Sequence, residues 1–306
     1  MILTLTLNPS IDKSTTVNGL VPEQKLRCSV PHYEPGGGGI NVARAIHKLG
    51  GQARALFLAG GYSGAFFQEL ITNEGIPFEA IGIAGATREN FIVVDTSTNQ
   101  QYRFGMDGPT VSTSECQLLL DKVAIYPNLS YVVGSGSLPL GVPSSFYGEV
   151  AKICRQKNVR LILDTSGKAL QEAADIGVYL LKPNLAELSA LVGVSELQLD
   201  EVDEAALHII HKGNCEVVVV SLGAAGALLV SKEGTQHVPA PTVKKRSTVG
   251  AGDSMVAGMT LSLTQGRSLL ETVRYGVACG SAATMNEGTE LCNLDDVERL
   301  YARMRR

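Results

Sequence analysis

The chain has 306 residues, of which 44% are hydrophobic and 18% charged, and its formal net charge is −4. This apolar content excludes wholesale disorder, and the length suffices for one large α/β domain or two ordinary ones. Because there is no basic tract, nucleic acid is not an expected partner, and no apolar run reaches the roughly 20 residues of a membrane-spanning helix.

Two features of the sequence predict a cytoplasmic protein. The opening MILTLTLNPS lacks the basic region and the small-residue cleavage site of a signal peptide. The six cysteines form no C-x-x-C pair, which in a chain of this size is typical of reduced thiols.

Along most of the chain, short aliphatic or β-branched runs alternate with helical patterns. This order is typical of a mostly parallel sheet with helices on both faces. No repeat or linker divides the chain, so one domain is predicted over residues 1–306. The predicted strands are residues 3–7, 54–59, 131–133, 160–163, 178–181 and 217–221. The predicted helices between them include 41–49, 143–156, 184–191 and 204–211.

Two segments, residues 11–35 and 88–105, break this alternation. Polar and apolar residues alternate in them with little helical signal. They are predicted to form half-buried antiparallel strands of a small side sheet. The last third of the chain is predicted to be helical, with long patterns at residues 253–264 and 269–285.

The most specific segment reads TVGAGD, from Thr248 to Asp253. Its small residues leave backbone N–H groups unshielded at the start of a predicted helix, whose dipole also favours negative charge, so the segment predicts an anion site. Asp253 could be an ordinary first-turn carboxylate that stabilises the helix. It could also be a general base that takes a proton from a hydroxyl attacking a bound phosphorus. Position alone leaves both interpretations open.

A second cluster, residues 34–44, contains four consecutive glycines at 36–39. Glycines in a row disfavour both helix and strand and leave bare backbone for the close approach of a ligand. A plain flexible loop is the less favoured alternative. Asn41 follows at the predicted start of a helix, where it could cap the helix or bind a ligand hydroxyl.

Asn184 and Glu187 lie three residues apart at the start of another predicted helix, directly after Pro183. The spacing fits a capping box, and the sequence favours that interpretation. The alternative is that both side chains point into the shell of a Mg²⁺ ion, since oxygen ligands suit that ion.

Asp12 follows the first predicted strand, where open α/β sheets bind ligands, although a turn aspartate is the favoured interpretation. Four cations, Lys25, Arg27, Arg88 and Arg103, lie in the irregular segments. Each alone is expected on the solvated surface, but together they could bind a substrate phosphate.

Several familiar site patterns do not occur in the sequence. The chain contains neither G-x-x-x-x-G-K-[ST] nor a G-x-G-x-x-G after its first strand, which counts against a P-loop protein and a dinucleotide oxidoreductase. The five histidines form no metal-ligand pattern.

The two glycine-containing segments, residues 36–44 and 248–254, resemble the two signature segments of the PfkB carbohydrate kinases, a family of the ribokinase-like superfamily. The resemblance extends along the whole chain through EPGGGGINVARAI, KPNLAELSALV and the shorter segments KLRC, QYRF, GSLP, VVVSLG and GSAAT. It implies a ribokinase-like three-layer α/β/α sandwich with a mostly parallel central sheet and a small β-sheet lid, which pairs with the lid of a second subunit in a homodimer.

The implied activity is ATP-dependent phosphorylation of fructose 6-phosphate at its C1 hydroxyl, which gives fructose 1,6-bisphosphate in glycolysis. Two other functions stay open. One is phosphorylation of a different phosphosugar, tagatose 6-phosphate or fructose 1-phosphate. The other is a non-catalytic sugar-binding regulator, which the intact Asp253 and its glycine segment disfavour.

The resemblance also implies roles for individual residues. Asp253 would be the base, and the amides of Gly250, Ala251 and Gly252 would stabilise the transferring phosphoryl group. The sugar phosphate would be held by Asp12, Gly37, Gly38, Asn41, Arg88, Arg103 and Ser137, with Arg27 from the partner lid. ATP would be bound by Lys182, Asn184, Ser221, Gly223, Gly226 and Thr248.

Metal ions and regulation are implied in the same way. Asn184 and Glu187 would organise Mg²⁺. A monovalent cation, usually K⁺, would lie at Val249, Ala283, Asn286 and Gly288, and Lys25 would mark an inhibitory second ATP. Glu290 stands where the resemblance leads us to expect arginine, which leaves the cation preference open.

Overall fold

The structure is a computed structural model that describes residues 1–212 and 215–305. Its strands, in chain order, are β1 Ile2–Thr6, β2 Ser10–Val17, β3 His32–Gly36, β4 Ala53–Ala59, β5 Phe78–Gly82, β6 Arg88–Asp95, β7 Gln100–Phe104, β8 Tyr131–Ser135, β9 Arg160–Asp164, β10 Val178–Leu181, β11 Cys215–Ser221, β12 Ala227–Ser231 and β13 Gly234–Val238. Its helices are α1 Gly38–Lys48, α2 Gly61–Asn73, α3 Thr113–Ile125, α4 Phe146–Gln156, α5 Gly167–Ile176, α6 Leu185–Val192, α7 Val202–His211, α8 Ala251–Thr264, α9 Leu269–Ala283 and α10 Leu294–Met304.

Nine strands form the large sheet in the order β13-β12-β11-β10-β9-β8-β1-β4-β5. From β11 to β5 every neighbouring pair is parallel, and the β11–β12 and β12–β13 pairs are antiparallel. The parallel strands are continuous apolar runs because helices cover both faces. One core lies between the sheet and α1, α2 and α8–α10, and a second lies between it and α3–α7. The predicted three-layer sandwich is confirmed.

The small sheet has the order β3-β2-β6-β7. The prediction that its strands are all antiparallel is wrong, because β2 and β6 pair in parallel from Ser10–Arg88 to Val17–Asp95. Each of these strands follows a parallel strand of the large sheet, β1 and β5 respectively. Both therefore leave the same edge of that sheet in the same direction.

Most predicted boundaries agree with the structure to within three residues, and one difference matters for the site. Helix α1 begins at Gly38 rather than at Asn41, and Gly37 is its N-cap residue. The interpretation of Asn41 as a cap is therefore wrong.

Two further findings concern the chain as a whole. No helix in the described ranges is long and apolar enough to cross a membrane. All six cysteines are free thiols, and five of them are buried.

Candidate active site

Polar groups gather where the parallel strands of the large sheet end. Asp164 is the last residue of β9, Ser135 is the last residue of β8, and Lys182 directly follows β10. Parallel strands end at one edge of the sheet, so residues distant in sequence meet there. The Gly136 N–H donates to the Asp164 carbonyl at 3.0 Å, which joins two of these strand ends.

The start of helix α8 supplies unpaired amides at this edge. Gly250 caps the helix in the left-handed region, at φ 70°, and a Cβ there would lie 2.6 Å from Leu291 Cδ2, so both conformation and space require glycine. The first helical hydrogen bond runs from the Ser254 N–H to the Gly250 carbonyl at 2.8 Å. The amides before Ser254 are therefore available to an anion, as the sequence predicts.

Asp253 lies in the first turn of α8 but does not cap it. No side chain caps this helix, and Asn41 Nδ2 donates instead to Asp253 Oδ2 at 2.9 Å. Burial and the charge of Asp164 raise the pKa of Asp253 to about 6, although the hydrogen bond from Asn41 and the charge of Lys182 oppose the rise. A carboxylate with such a pKa can accept a proton near neutral pH, which favours the general-base interpretation.

This pKa predicts the pH dependence of turnover. The base must be ionised, so kcat should rise through pH about 6 and level off above about pH 7. Since the pKa in the folded state lies above the usual 3.8, this carboxyl contributes less to stability as the pH rises between the two values. A pH–rate profile with saturating substrates measures the first effect. A profile that is flat from about pH 5 to 8 would contradict it.

The glycines before Asn41 serve close packing rather than a bare loop. A Cβ on Gly38 would lie 2.3 Å from Ser135 Oγ, and one on Gly39 would lie 2.3 Å from the Leu5 carbonyl. Helix α1 thus packs directly on β1 and β8. A plain flexible loop, the less favoured alternative, is wrong, because Gly36 ends β3 and α1 begins at Gly38. The close approach of a ligand to these glycines stays a prediction. The close packing is what brings Asn41 to Asp253.

Lys182 is buried and pairs with Asp164 at 3.0 Å between Nζ and Oδ1. Burial alone would lower the pKa of Lys182, but the charge of Asp164 raises it above its usual value. Its Nζ lies 3.7 Å from the position that a Cβ on Gly252 would occupy, so the ammonium group adjoins the unpaired amides. Sequence analysis missed Asp164, although an aspartate that ends a buried strand was a usable signal.

Asn184 and Glu187 form the capping box that the sequence favours. The Glu187 N–H donates to Asn184 Oδ1 and the Asn184 N–H to Glu187 Oε2, both at 2.9 Å. Burial and the charge of Asp164 raise the pKa of Glu187. No three His, Cys, Asp or Glu side chains in the described part of the chain form a metal-ligand group. The assignment of Mg²⁺ to this pair stays a prediction.

On the lid side, Asp12 lies within strand β2, so the interpretation as a turn aspartate is wrong. Ser10 Oγ and Asn90 Nδ2 both donate to Asp12 Oδ1, at 2.8 and 2.9 Å. A cavity of about 230 Å³ separates the lid from the α8 turn, and Asp12, Asn90, Arg103 and Val249 are among its lining residues. Asn90 was not identified from the sequence.

The other predicted sugar-phosphate residues differ in their contacts and in their exposure. The Arg88 guanidinium donates to the carbonyls of Asn8 and Met106, at 3.0 Å each, so it is anchored at the mouth of the lid. Ser137 is exposed and accepts from Asn8 Nδ2 at 3.2 Å. Lys25 and Arg27 lie on the exposed connection between β2 and β3.

The predicted nucleotide residues lie on connections at the same edge of the large sheet. The Ser221 N–H donates to the Pro183 carbonyl at 2.9 Å, which fixes the end of β11 beside the Asn184 cap. A tight turn from Gly223 to Gly226 follows, and Thr248 is exposed before α8.

The four residues predicted for a monovalent cation adjoin the α8 turn. Ser247 Oγ donates to the Gly288 carbonyl at 2.7 Å, and the Val249 N–H donates to Ser247 Oγ at 3.2 Å. Asn286 Nδ2 donates to the Leu291 carbonyl at 2.8 Å, and Ala283 ends α9. The carbonyls of Gly288 and Leu291 both accept hydrogen bonds in this loop, and carbonyl oxygens are ligands suited to a hard cation.

Relatives with a named activity align with this chain over all or nearly all of its length. ATP-dependent 6-phosphofructokinase isozyme 2 of Escherichia coli (strain K12) is 46% identical over 306 residues, covering 100% of this chain and 99% of the relative. The 1-phosphofructokinase of Bacillus subtilis (strain 168) is 33% identical over 292 residues, covering 95% of each.

Solved structures agree with the fold. Phosphofructokinase-2 from Escherichia coli in complex with potassium superposes with a TM-score of 0.96 at 46% identity, covering 100% of this chain and 99% of the other. The complex of that enzyme with fructose-6-phosphate gives 0.94 at 45% identity, with the same coverage. Arabidopsis thaliana ribokinase, at 20% identity, gives 0.76 over 98% of each chain, which shows the shared ribokinase-like fold alone.

The family model described as pfkB family carbohydrate kinase matches residues 5–296. Together with a 46% identical relative along the full chain, this match settles the family. The chain belongs to the PfkB family of carbohydrate kinases.

Proposed function

We propose that the protein transfers the γ-phosphoryl group of ATP to the C1 hydroxyl of fructose 6-phosphate. One observation carries the proposal. A carboxyl with a pKa of about 6, Asp253, is held by Asn41 at 2.9 Å directly beside unpaired amides and the Lys182 ammonium. The 46% identity to a 6-phosphofructokinase supports the choice of sugar.

The chemistry follows from these groups. Asp253 accepts the proton of the C1 hydroxyl. At the same time the hydroxyl oxygen forms a bond to the γ-phosphorus, and the bond between the γ-phosphorus and the ADP oxygen breaks. The amides at residues 250–252 and the charge of Lys182 stabilise the negative charge on the phosphoryl oxygens as it moves. Asn41 holds the Asp253 carboxylate in place. The lid excludes water from the reacting phosphorus.

A phosphorylated sugar fits the lid side best. Asp12 and Asn90 offer polar groups for hydroxyls, while Arg103 lines the same cavity and Arg88 is anchored close by. The charge of Asp12 also acts on Arg88, so both guanidinium groups lie near Asp12 and are suited to a phosphate rather than to a free sugar.

A substrate panel tests this assignment. We expect kcat/KM to be highest for fructose 6-phosphate, compared with tagatose 6-phosphate, fructose 1-phosphate and ribose. Higher values for fructose 1-phosphate would favour the activity named for the Bacillus subtilis relative. No ADP release with any of these sugars would favour the sugar-binding regulator.

Mg²⁺ is proposed as the metal that accompanies ATP, with the predicted pair Glu187 and Asn184, and Asp164 in addition, as its protein-side oxygen ligands, directly or through water. The charges of both carboxylates raise the pKa of Lys182, and the charge of Asp164 raises the pKa of Glu187. When bound, the ion would neutralise charge on the β- and γ-phosphates.

Replacing Glu187 by Gln separates the capping role from the metal role. Gln retains an oxygen that can accept from the Asn184 N–H, so we expect the Tm to change little. The Mg²⁺ concentration for half-maximal kcat should rise about tenfold, because a charged ligand is lost. Glu115→Gln is the matched control, because it makes the same change in the capping box of Ser112 and Glu115 on α3, and it should leave the Mg²⁺ requirement unchanged. An unchanged Mg²⁺ requirement in Glu187→Gln would contradict the metal role.

A monovalent cation is proposed at the carbonyl-rich loop of Val249, Ala283, Asn286 and Gly288, in line with the potassium complex of the E. coli relative. We further propose Lys25 as the contact for an inhibitory second ATP, because it is an exposed cation on the lid connection.

A homodimer is proposed through the outer face of the lid. Exposed apolar side chains gather there, with Val30 92% and Phe104 45% exposed, and an apolar groove is lined by Leu20, Leu26, Phe91, Phe104 and Met106 among others. An apolar patch of this kind on a surface sheet is typical of an interface. The exposed position of Arg27 on the same lid is compatible with a role in the site of a second subunit.

Phe104→Asp tests the dimer. A charge on this face should produce monomers in sedimentation velocity. It should also reduce kcat/KM at least about tenfold, since each site would lose the Arg27 of the other subunit and since Phe104 also lines the cavity beside Asp12. Leu118→Asp introduces the same charge at an exposed leucine on α3 and should leave both measurements unchanged. A monomeric wild type would overturn the proposal.

A further inference from the structure

Arg44 is a buried cation on α1 that binds two carboxylates, one more than its single charge requires. It is 4% exposed, and its guanidinium binds Glu34 at 3.1 Å and Glu74 at 2.7 Å. It also donates to the Pro35 carbonyl at 2.9 Å. One carboxylate would suffice to neutralise one guanidinium, so the second is available for another task.

Glu34 makes a second contact, which Glu74 does not make. Its Oε1 accepts from Arg44, while its Oε2 accepts a hydrogen bond from the Thr289 hydroxyl. Thr289 is 8% exposed, and 255 residues separate it from Glu34 in the sequence. Strand β3 is therefore tied to the loop of residues 286–291.

That loop packs against the start of α8. The position that a Cβ on Gly250 would occupy is 2.6 Å from Leu291 Cδ2 and 3.8 Å from the Thr289 carbonyl. The Gly288 carbonyl accepts from Ser247 Oγ at 2.7 Å. A displacement of the loop would consequently displace the turn that presents the unpaired amides.

Glu34 and Arg44 also adjoin two residues that are predicted to hold the sugar, Asp12 and Asn41. In the lid register Glu34 pairs with Asp12 across β3 and β2. Arg44 Nη1 also lies 3.4 Å from Asn41 Oδ1, the oxygen of the amide whose nitrogen binds Asp253. Glu34 and Arg44 thus contact the lid, the helix that carries Asn41 and the loop behind the amides.

We propose that Glu34, clamped by Arg44, is a positioning residue that sets the amides at 250–252 in register with the lid and with Asp253 through its bond to Thr289. The inference rests on the proposed function. Glu34 is not among the residues that line the cavity assigned to the sugar, so loss of Glu34 should lower kcat while leaving KM almost unchanged. Thr289 does line that cavity, so its variants are compared in kcat only.

Two pairs of variants test the link. Glu34→Gln leaves one acceptor oxygen for two donors, so it must release either Arg44 or Thr289. Glu74→Gln is the matched control, because it removes the same charge from the same guanidinium without reaching the loop. We expect kcat to fall about tenfold in Glu34→Gln and less than about twofold in Glu74→Gln, with KM for both substrates within about threefold and similar decreases in Tm.

Thr289 supplies the second pair. Thr289→Val removes the hydroxyl at equal volume and should lose about tenfold in kcat, while Thr289→Ser keeps the donor and should rescue it. The double variant Glu34→Gln/Thr289→Val should be no worse than the poorer single variant.

The outcomes separate the two proposals. If the wild type turns over another phosphosugar instead, the substrate assignment fails and the same ratios are measured with that sugar. If the wild type phosphorylates none, the proposed function fails and this inference fails with it. If the wild type is active but Glu34→Gln equals Glu74→Gln, or Thr289→Val equals Thr289→Ser, the inference alone is overturned.

Discussion

Asp253→Asn is expected to reduce kcat at least about 10²-fold, the low end for loss of a general base, while the protein folds normally. The amide keeps the shape and an oxygen that can accept from Asn41, but it cannot take the proton of the sugar hydroxyl. Because burial raises the pKa of Asp253 to about 6, its carboxylate is unfavourable in the folded state at pH 8. The Tm of the variant at pH 8 should therefore equal or exceed that of the wild type.

The control for this variant is Asp295→Asn, which removes a charge from the first turn of α10 at an exposed position. A coupled assay for ADP measures kcat, and thermal unfolding followed by circular dichroism measures the Tm. The control should keep wild-type turnover. Near wild-type turnover in Asp253→Asn would remove Asp253 from its role.

Lys182→Met is expected to damage both stability and activity. It leaves Asp164 with an uncompensated charge at a largely buried position, which typically costs about 3–5 kcal/mol in the free energy of unfolding. It also removes the ammonium group beside the amides at 250–252, so ATP-dependent turnover should fall at least about 10²-fold. Chemical denaturation and the ADP assay measure the two losses.

The double variant Asp164→Asn/Lys182→Met distinguishes the two effects. With both charges gone, most of the stability should return, because no buried charge is left unpaired. Activity should stay low, because the charge proposed to bind phosphate and one proposed Mg²⁺ ligand are both missing. Recovery of activity along with stability would show that Lys182 acts only through folding.

Local patterns in the sequence were sufficient for most of the secondary structure. Strand β10 has the predicted bounds, and α8 ends at the predicted Thr264. The capping box of Asn184 and Glu187 was also predicted, since its two hydrogen bonds join residues three apart. The close packing of Gly38 and Gly39 was not predicted, because the atoms that exclude a Cβ there belong to β8 and β1, which are distant in sequence.

The contacts that define the candidate site join residues that are far apart in the sequence. The Asn41–Asp253 bond joins residues 212 apart in sequence, and the Glu34–Thr289 bond joins residues 255 apart. Nothing in either segment indicates its partner. Asp164 and Lys182 meet because their strands are neighbours in the large sheet.

The sequence by itself determined the alternation of strands and helices, the glycine-rich turn before α8 and the residue types available for phosphoryl transfer, since these depend on neighbours along the chain. Only the tertiary structure decided that Asn41 binds Asp253 rather than capping a helix, that Asp164 pairs with Lys182, and that the lid is a mixed sheet. The physical reason is that the order of strands in a sheet, and the side chains gathered at its carboxyl edge, follow from how helices pack across its two faces.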